Sequence, residues 1–303
     1  MRRALTVALV VLLALTGCAS AGEDTPVSAS GGRLRDITVE VSDTRAPALS
    51  WPADKVFTTA ETAVMWPGEG DALIDGQPLL LDVYIQSLQT GAVLQNTYDG
   101  LPRAFLLAPE LLGDDLYTVL RKQRVGARVV SVAPPVEGFA DETAIAIVID
   151  VLPTHAVGEA VPARPDMPVV RDSPTHEPRI GLVEGAQYPT ELVSATLIRG
   201  TGEQVQPTSH VLAQYKAVYT QDGADATAAW LAGDVFDSTW DAGDAPYEFQ
   251  MGKGETLRAF EEALLDAAVG SRIVIEAPET WAYPGKGPMV FVVDILDVWT
   301  EAS

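Results

Sequence analysis

The chain repeats itself, and the repeats come in one order. Gly68-Glu69-Gly70 returns as Gly200-Thr201-Gly202, and a tyrosine follows the second glycine at 14 residues for Tyr84 and at 13 for Tyr215. RVGARVVSVAPP from Arg124 returns as AVGSRIVIEAPE from Ala268, and VIDVL from Val148 returns as VVDIL from Val292. Gly126 precedes Asp150 by 24 residues, and Gly270 precedes Asp294 by 24. A single match arises easily by chance, but four in the same order mark a duplicated domain. With 303 residues, 47% of them hydrophobic, the chain has length and apolar content for two cores.

Within the second half, VLAQYKAV, RIVIEAP and MVFVVDILDVW are β-branched and aromatic runs of strand length. LRAFEEALLDA stands before the second of them and sets Leu257, Phe260, Leu264 and Ala267 on one helical face; Leu112, Leu116 and Val119 repeat this in the first half. Strands grouped around one amphipathic helix predict an α+β fold with a mostly antiparallel sheet.

Residues 1–17 carry two arginines and an apolar run from Ala4 to Leu15, the pattern of an export signal too short for a comfortable membrane span. Leu15-Thr16-Gly17-Cys18 resembles the lipobox of bacterial lipoproteins, which implies cleavage before Cys18, a lipid on that residue and anchoring outside the cytoplasm. Cys18 is the chain's one cysteine, so no intramolecular disulfide and no thiol nucleophile is available. Residues 18–35 are small and polar and predict a flexible tether. Six prolines between Pro153 and Pro178 predict a stiff connector, which sets a first domain at 36–153, a linker at 154–171 and a second domain at 172–303. Against 42 acidic residues stand 20 basic ones, a net charge of −22 with no basic patch, and nucleic acid is excluded as a partner.

Familiar catalytic groupings are missing. His155, His176 and His210 are scattered and form no metal-ligand spacing, no G-x-S-x-G occurs, and Gly252-Lys253-Gly254 lacks the rest of a phosphate loop. Asp294 and Asp297 on the last strand are expected to face solvent or cap neighbours. The stretch VFDSTW sets Asp237 directly after an aromatic on a strand expected to head into the core, where a carboxylate is costly unless paired or used.

The Gly-x-Gly turn, the strand with Tyr215, VFDSTW, PYEFQMGKGETLRAFEEAL, VGSRIVIEAPETWAYPG and VFVVDIL follow one another over roughly residues 180–300. That ordered set resembles the FK506-binding-protein (FKBP) family of peptidyl-prolyl cis-trans isomerases. The resemblance implies two tandem FKBP-like domains, each a curved antiparallel sheet wrapped on a short helix. It also implies a proline-binding pocket formed by Tyr215, Phe236, Tyr247, Phe249, Phe260 and Phe291, with Asp237, Tyr283 and the Leu257 N–H as the catalytic groups. No cofactor or metal is implied; proline-containing unfolded or exported polypeptides and FK506-like macrolides are the implied ligands.

Phe260 stands where the family has tryptophan, the loop PGKGP after Tyr283 is shorter than the family's flap, and the hairpin QDGADATAAWLAGD is about ten residues longer, expected to grow outward without consequence. In the first half Leu94, Gln95 and Leu116 replace Phe236, Asp237 and Phe260, and no tyrosine after Pro135 matches Tyr283, so that half reads as a non-catalytic copy. Two functions follow: a membrane-tethered prolyl isomerase for exported proteins, or a chaperone-like peptide-binding module on the same frame.

Overall fold

The computed structural model describes residues 31–40, 46–135, 137, 142–183, 185–225, 227–240 and 245–300; residues 1–17, read above as an export signal, and Cys18 lie outside the described residues. The chain divides into two units, Met1–Leu152 and Pro153–Ser303.

In the first unit the strands are β1 (Glu61–Trp66), β2 (Pro78–Ser87), β3 (Val93–Asn96), β4 (Arg103–Leu106), β5 (Arg128–Ala133) and β6 (Ile145–Leu152). They join antiparallel in the order β1-β5-β6-β2-β3, and β4 also pairs with β2. Leu79, Leu81, Val83 and Ile85 alternate onto one face of β2 and pack with Leu112, Leu116 and Leu120. Those leucines come from two short helices, α1 (Pro109–Leu112) and α2 (Asp114–Leu120), where the apolar spacing predicts one. Gly113 between them has φ 74°, a left-handed conformation that interrupts the helix and that glycine adopts without strain.

The opposite face is covered as well. Tyr84, Val130 and Val148 pack there with Leu34, Val39, Ala46 and Leu49, from a hairpin that pairs Thr38–Glu40 with Ala48–Ser50. A strand buried on both faces reads as an apolar run, as β2 does on either side of Asp82.

In the second unit, β7 (Val193–Arg199), β8 (His210–Tyr219), β9 (Val235–Ser238), β10 (Tyr247–Gln250), β11 (Arg272–Ala277) and β12 (Met289–Trp299) repeat the arrangement as β7-β11-β12-β8-β9, with β10 also on β8. The helix α3 (Arg258–Leu264) packs Phe260 and Leu264 against Val211, Ile273, Ile275, Phe291 and Val293. Leu257 caps the helix rather than lying within it, and Ala267 falls beyond its end, although both still touch this core. Val169–Asp172 pairs with Pro178–Gly181, and Val170, Ile180 and Met167 cover the outer residues Val274, Val290 and Val292. The Pro-rich stretch thus contributes to this unit's outer layer, and Glu159–Ala160 adds to the edge of β7.

A shared register joins the copies. Arg128 and Asp82 flank Asp150 on neighbouring strands, and Arg272 and Gln214 flank Asp294 in the same way. Arg128 donates to Asp150 through Nε at 2.6 Å and Nη2 at 2.5 Å; Arg272 donates to Asp294 through Nε at 2.6 Å and Nη2 at 2.7 Å. Asp294 is 1% exposed and also accepts the Ala156 N–H at 2.9 Å, so of the two expectations, solvent or a neighbouring partner, it meets the second. The buried guanidinium forks onto it, the geometry in which such a pair offsets its desolvation best.

This register also corrects the pairing of Tyr84 with Tyr215. Asp82 corresponds to Gln214, so Val83 corresponds to Tyr215 and Tyr84 to Lys216. One residue along a strand is a change of face, and Tyr84 points away from the helix.

Candidate functional site

A cavity of about 350 Å³ opens in the second unit, lined by Tyr215, Tyr247, Glu255, Thr256, Leu257, Phe260 and Tyr283. On the helix-facing side of β8, Tyr215 follows Ala213 and precedes Ala217, and these fully buried alanines leave room for rings from elsewhere. Phe260 forms the floor at 1% exposure and meets Tyr215 edge-on at 5.7 Å and Phe291 edge-on at 5.3 Å. Tyr247 closes a second wall, 5.7 Å from Tyr215 and stacked at 5.1 Å on Phe249. Edge-to-face packing of this kind holds each ring in one orientation.

The segment from Gly252 to Leu257 forms the entrance side. Gly252 has φ 73°, and a Cβ there would come within 2.8 Å of the Pro207 carbonyl oxygen, so the turn requires glycine. The Tyr247 hydroxyl donates to the Glu255 carbonyl at 2.8 Å, and the Gln250 N–H donates to the Glu255 carboxylate at 3.1 Å. Leu257 then opens the helix, its carbonyl accepting the N–H of Phe260 at 2.9 Å and of Glu261 at 3.1 Å. A backbone tied at both ends fixes where the Leu257 N–H stands.

Asp237 lies at the rim. Strand β9 alternates exposed and half-buried residues, so Phe236 turns inward while Asp237 stays exposed rather than entering the core. Its carboxylate accepts the hydroxyl hydrogen of Tyr215 and, at 3.0 Å, the Ser238 N–H. Phe236 sits 4.6 Å from the Tyr283 ring and meets Tyr219 edge-on at 5.4 Å. Burial, with the bond to Asp237 behind it, pushes the Tyr215 hydroxyl well above the ordinary phenol range. Burial followed by the Asp237 and Tyr247 charges raises Tyr283 as well. Both phenols are therefore protonated donors at neutral pH.

Of the residues singled out from sequence, Tyr215, Tyr247, Leu257, Phe260 and Tyr283 line the cavity, Phe236, Phe249 and Phe291 back its walls, and Asp237 anchors one wall from outside. Glu255 and Thr256 line it without having been singled out; their place between Gly254 and Leu257 was the available signal. Two histidines read as scattered come together, His155 stacking on His176 at 3.8 Å.

In register, the first unit sets Val83, Leu94, Gln95, Arg103, Phe105 and Ile147 where the second has Tyr215, Phe236, Asp237, Tyr247, Phe249 and Phe291. The stretch that would hold a counterpart of Tyr283 includes residues 138–141, outside the described residues.

An antiparallel sheet on a short helix thus holds an aromatic cup between them, with polar groups of Glu255, Thr256 and the tyrosines around an apolar floor. Residues 201–293, within the second unit, match the family of FKBP-type peptidyl-prolyl cis-trans isomerases. Similar proteins include an FK506-binding protein of Streptomyces anulatus, 25% identical over 124 residues, 38% of this chain and 91% of that one. FK506-binding protein 2 of Emericella nidulans is 28% identical over 74 residues, 22% of this chain and 54% of its own. The Arabidopsis thaliana isomerase FKBP15-2 is 31% identical over 75 residues, 22% of this chain and 45% of its own. The chain thus spans about half the length of these last two relatives.

Proposed function

We propose that the second unit is a working peptidyl-prolyl cis-trans isomerase and that the first is a non-catalytic copy. The observation that carries this is the cup itself, an apolar floor at Phe260 and aromatic walls with hydroxyl and amide donors at the opening. Rotation about a peptide bond faces a barrier of about 18–20 kcal/mol from amide resonance, and no bond is made or broken. A catalyst therefore needs a site that fits the twisted amide better than either planar form. The proline ring enters over Phe260, where water that would solvate the planar amide is excluded. The Tyr283 hydroxyl and the Leu257 N–H meet the rotated carbonyl, and Asp237 holds Tyr215 in place.

The same cup suits an FK506-like macrolide. In this reading a lipid on Cys18 tethers the protein to the membrane outside the cytoplasm, where its substrates are exported polypeptides with X-Pro bonds. The loop after Tyr283 is short, and that favours a second reading, a module that binds proline-containing peptides with little turnover.

A protease-coupled isomerisation assay on the full chain decides between them. The expected result is acceleration of X-Pro exchange that a macrolide suppresses; peptide binding without acceleration overturns the enzyme in favour of the binder. For the tether, Cys18→Ser is expected to abolish acyl labelling and release the protein from the membrane fraction; labelling that persists refutes it.

A further inference from the structure

The long hairpin between β8 and β9, residues 220–234, is exposed along most of its described length but turns Trp230 inward. Gly223–Ala224 pairs with Ala229–Trp230, and Trp230 is 7% exposed, stacked at 4.6 Å on Tyr219 within the same core as Phe236 and Tyr283. The loop after Tyr283 rests on this hairpin at three successive residues. Lys286 places Nζ 4.3 Å over the Trp230 ring and bonds the Asp225 carboxylate. A Cβ on Gly287 would come within 2.5 Å of the Gln221 amide nitrogen. The Pro288 carbonyl accepts the Thr220 hydroxyl at 2.6 Å.

We infer that the hairpin is a bracket for the Tyr283 loop, with Asp225 and Lys286 as positioning residues for the isomerase site; the catalytic part of this rests on the function proposed above. Asp225 is preset for the task. Its Oδ1 accepts the Thr227 N–H at 2.7 Å, the Thr227 hydroxyl at 2.6 Å and the Ala228 N–H at 3.0 Å, which leaves Oδ2 aimed at Lys286. Lys286 in turn is tied to Tyr283 itself, its N–H donating to the Tyr283 carbonyl at 3.2 Å. A cation over an indole and paired with a carboxylate is held in one place, and Tyr283 sits only three residues away.

The test uses the full chain with Lys286→Met, which keeps the stem over Trp230 but removes the charge, together with Asp225→Asn, the double variant and Lys286→Arg. Amide hydrogen exchange over residues 283–287 is expected to quicken about two- to fivefold in each single variant, the range for an exposed ion pair, with kcat/KM falling by a similar factor. The double variant is expected to be no worse than either single one, and Lys286→Arg to restore wild-type exchange and rate. Exchange that stays unchanged, or effects that add in the double variant, overturns the bracket. If the wild type shows no isomerase activity, the enzyme reading fails alone, because exchange still decides the bracket.

Discussion

Val83 holds in the first unit the register position that Tyr215 holds in the second: Val83 lies opposite Ile149, and Tyr215 lies opposite Val293. One copy therefore lacks the phenol to which Asp237 attaches in the other. Tyr215→Val in the full chain is expected to lower kcat/KM at least about tenfold, since it removes a cup wall and exposes the site to water. An unchanged rate would mean that the first unit does the work.

Asp237 and Tyr283 are polar groups at the edge of the cup rather than core volume. Asp237→Val and Tyr283→Phe are each expected to cost ~1–3 kcal/mol in kcat/KM, the scale of one lost hydrogen-bonding group, while the melting temperature holds. A lowered melting temperature with normal activity per folded molecule would make Asp237 a structural residue instead.

Asp82 gives the first unit a proton-linked stability at a position where the second carries the uncharged Gln214. It lies 7% exposed opposite Asp150 and accepts the Thr97 hydroxyl at 2.8 Å, where the second unit has Gln214 accepting from Thr239. Burial, and after it the nearby Asp150 and Asp99 charges, raise its pKa from 3.8 to about 6 against the Thr97 bond. A raised carboxyl binds its proton more tightly in the folded state. Its stabilisation is fully present below the unfolded value of 3.8 and is lost as pH climbs to about 6. Asp82→Asn is expected to stabilise the chain relative to wild type at pH 7 and to lose that advantage near pH 4. Melting curves at both pH values check this; a constant difference would refute it.

Breaking the buried pair of the second unit is expected to be severe. Asp294→Asn removes the buried partner of Arg272, 3% exposed, which keeps only the half-exposed Asp172 as a counter-charge, and should cost up to about 3 kcal/mol in denaturant unfolding. Replacing both, Arg272→Met with Asp294→Leu, should recover much of that loss. If the single variant unfolds like wild type, the pair contributes nothing.

Much of this was legible because β-strands repeat with period two. The spacing from Gly126 to Asp150, matched from Gly270 to Asp294, kept its alignment in the structure, and Leu94 and Gln95 fell where Phe236 and Asp237 stand. The same periodicity makes an error of one residue total. Tyr84 at 14 and Tyr215 at 13 residues from their glycines look equivalent as letters but lie on opposite faces. That one-residue difference was already in the sequence. What the sequence did not carry was partnership at long range. The partner of Asp294 was not legible because Arg272 lies 22 residues away on another strand. The hairpin looked idle because Trp230 reads as a loop residue until Tyr219 and Lys286 are set beside it.

The Arg–Asp forks sit on the sheet faces turned away from the helices, among the same outer residues in both units, while the cup occupies the inner face of one. Cohesion and recognition are thus written on opposite sides of a page. The inner side of the first unit carries valine, leucine and arginine at the register positions of the cup, while its outer side keeps the same Arg–Asp register. For an engineer that inner page is open to rewriting, and Val83→Tyr, Leu94→Phe, Gln95→Asp, Arg103→Tyr and Ile147→Phe would copy onto it the strand-borne letters of the cup.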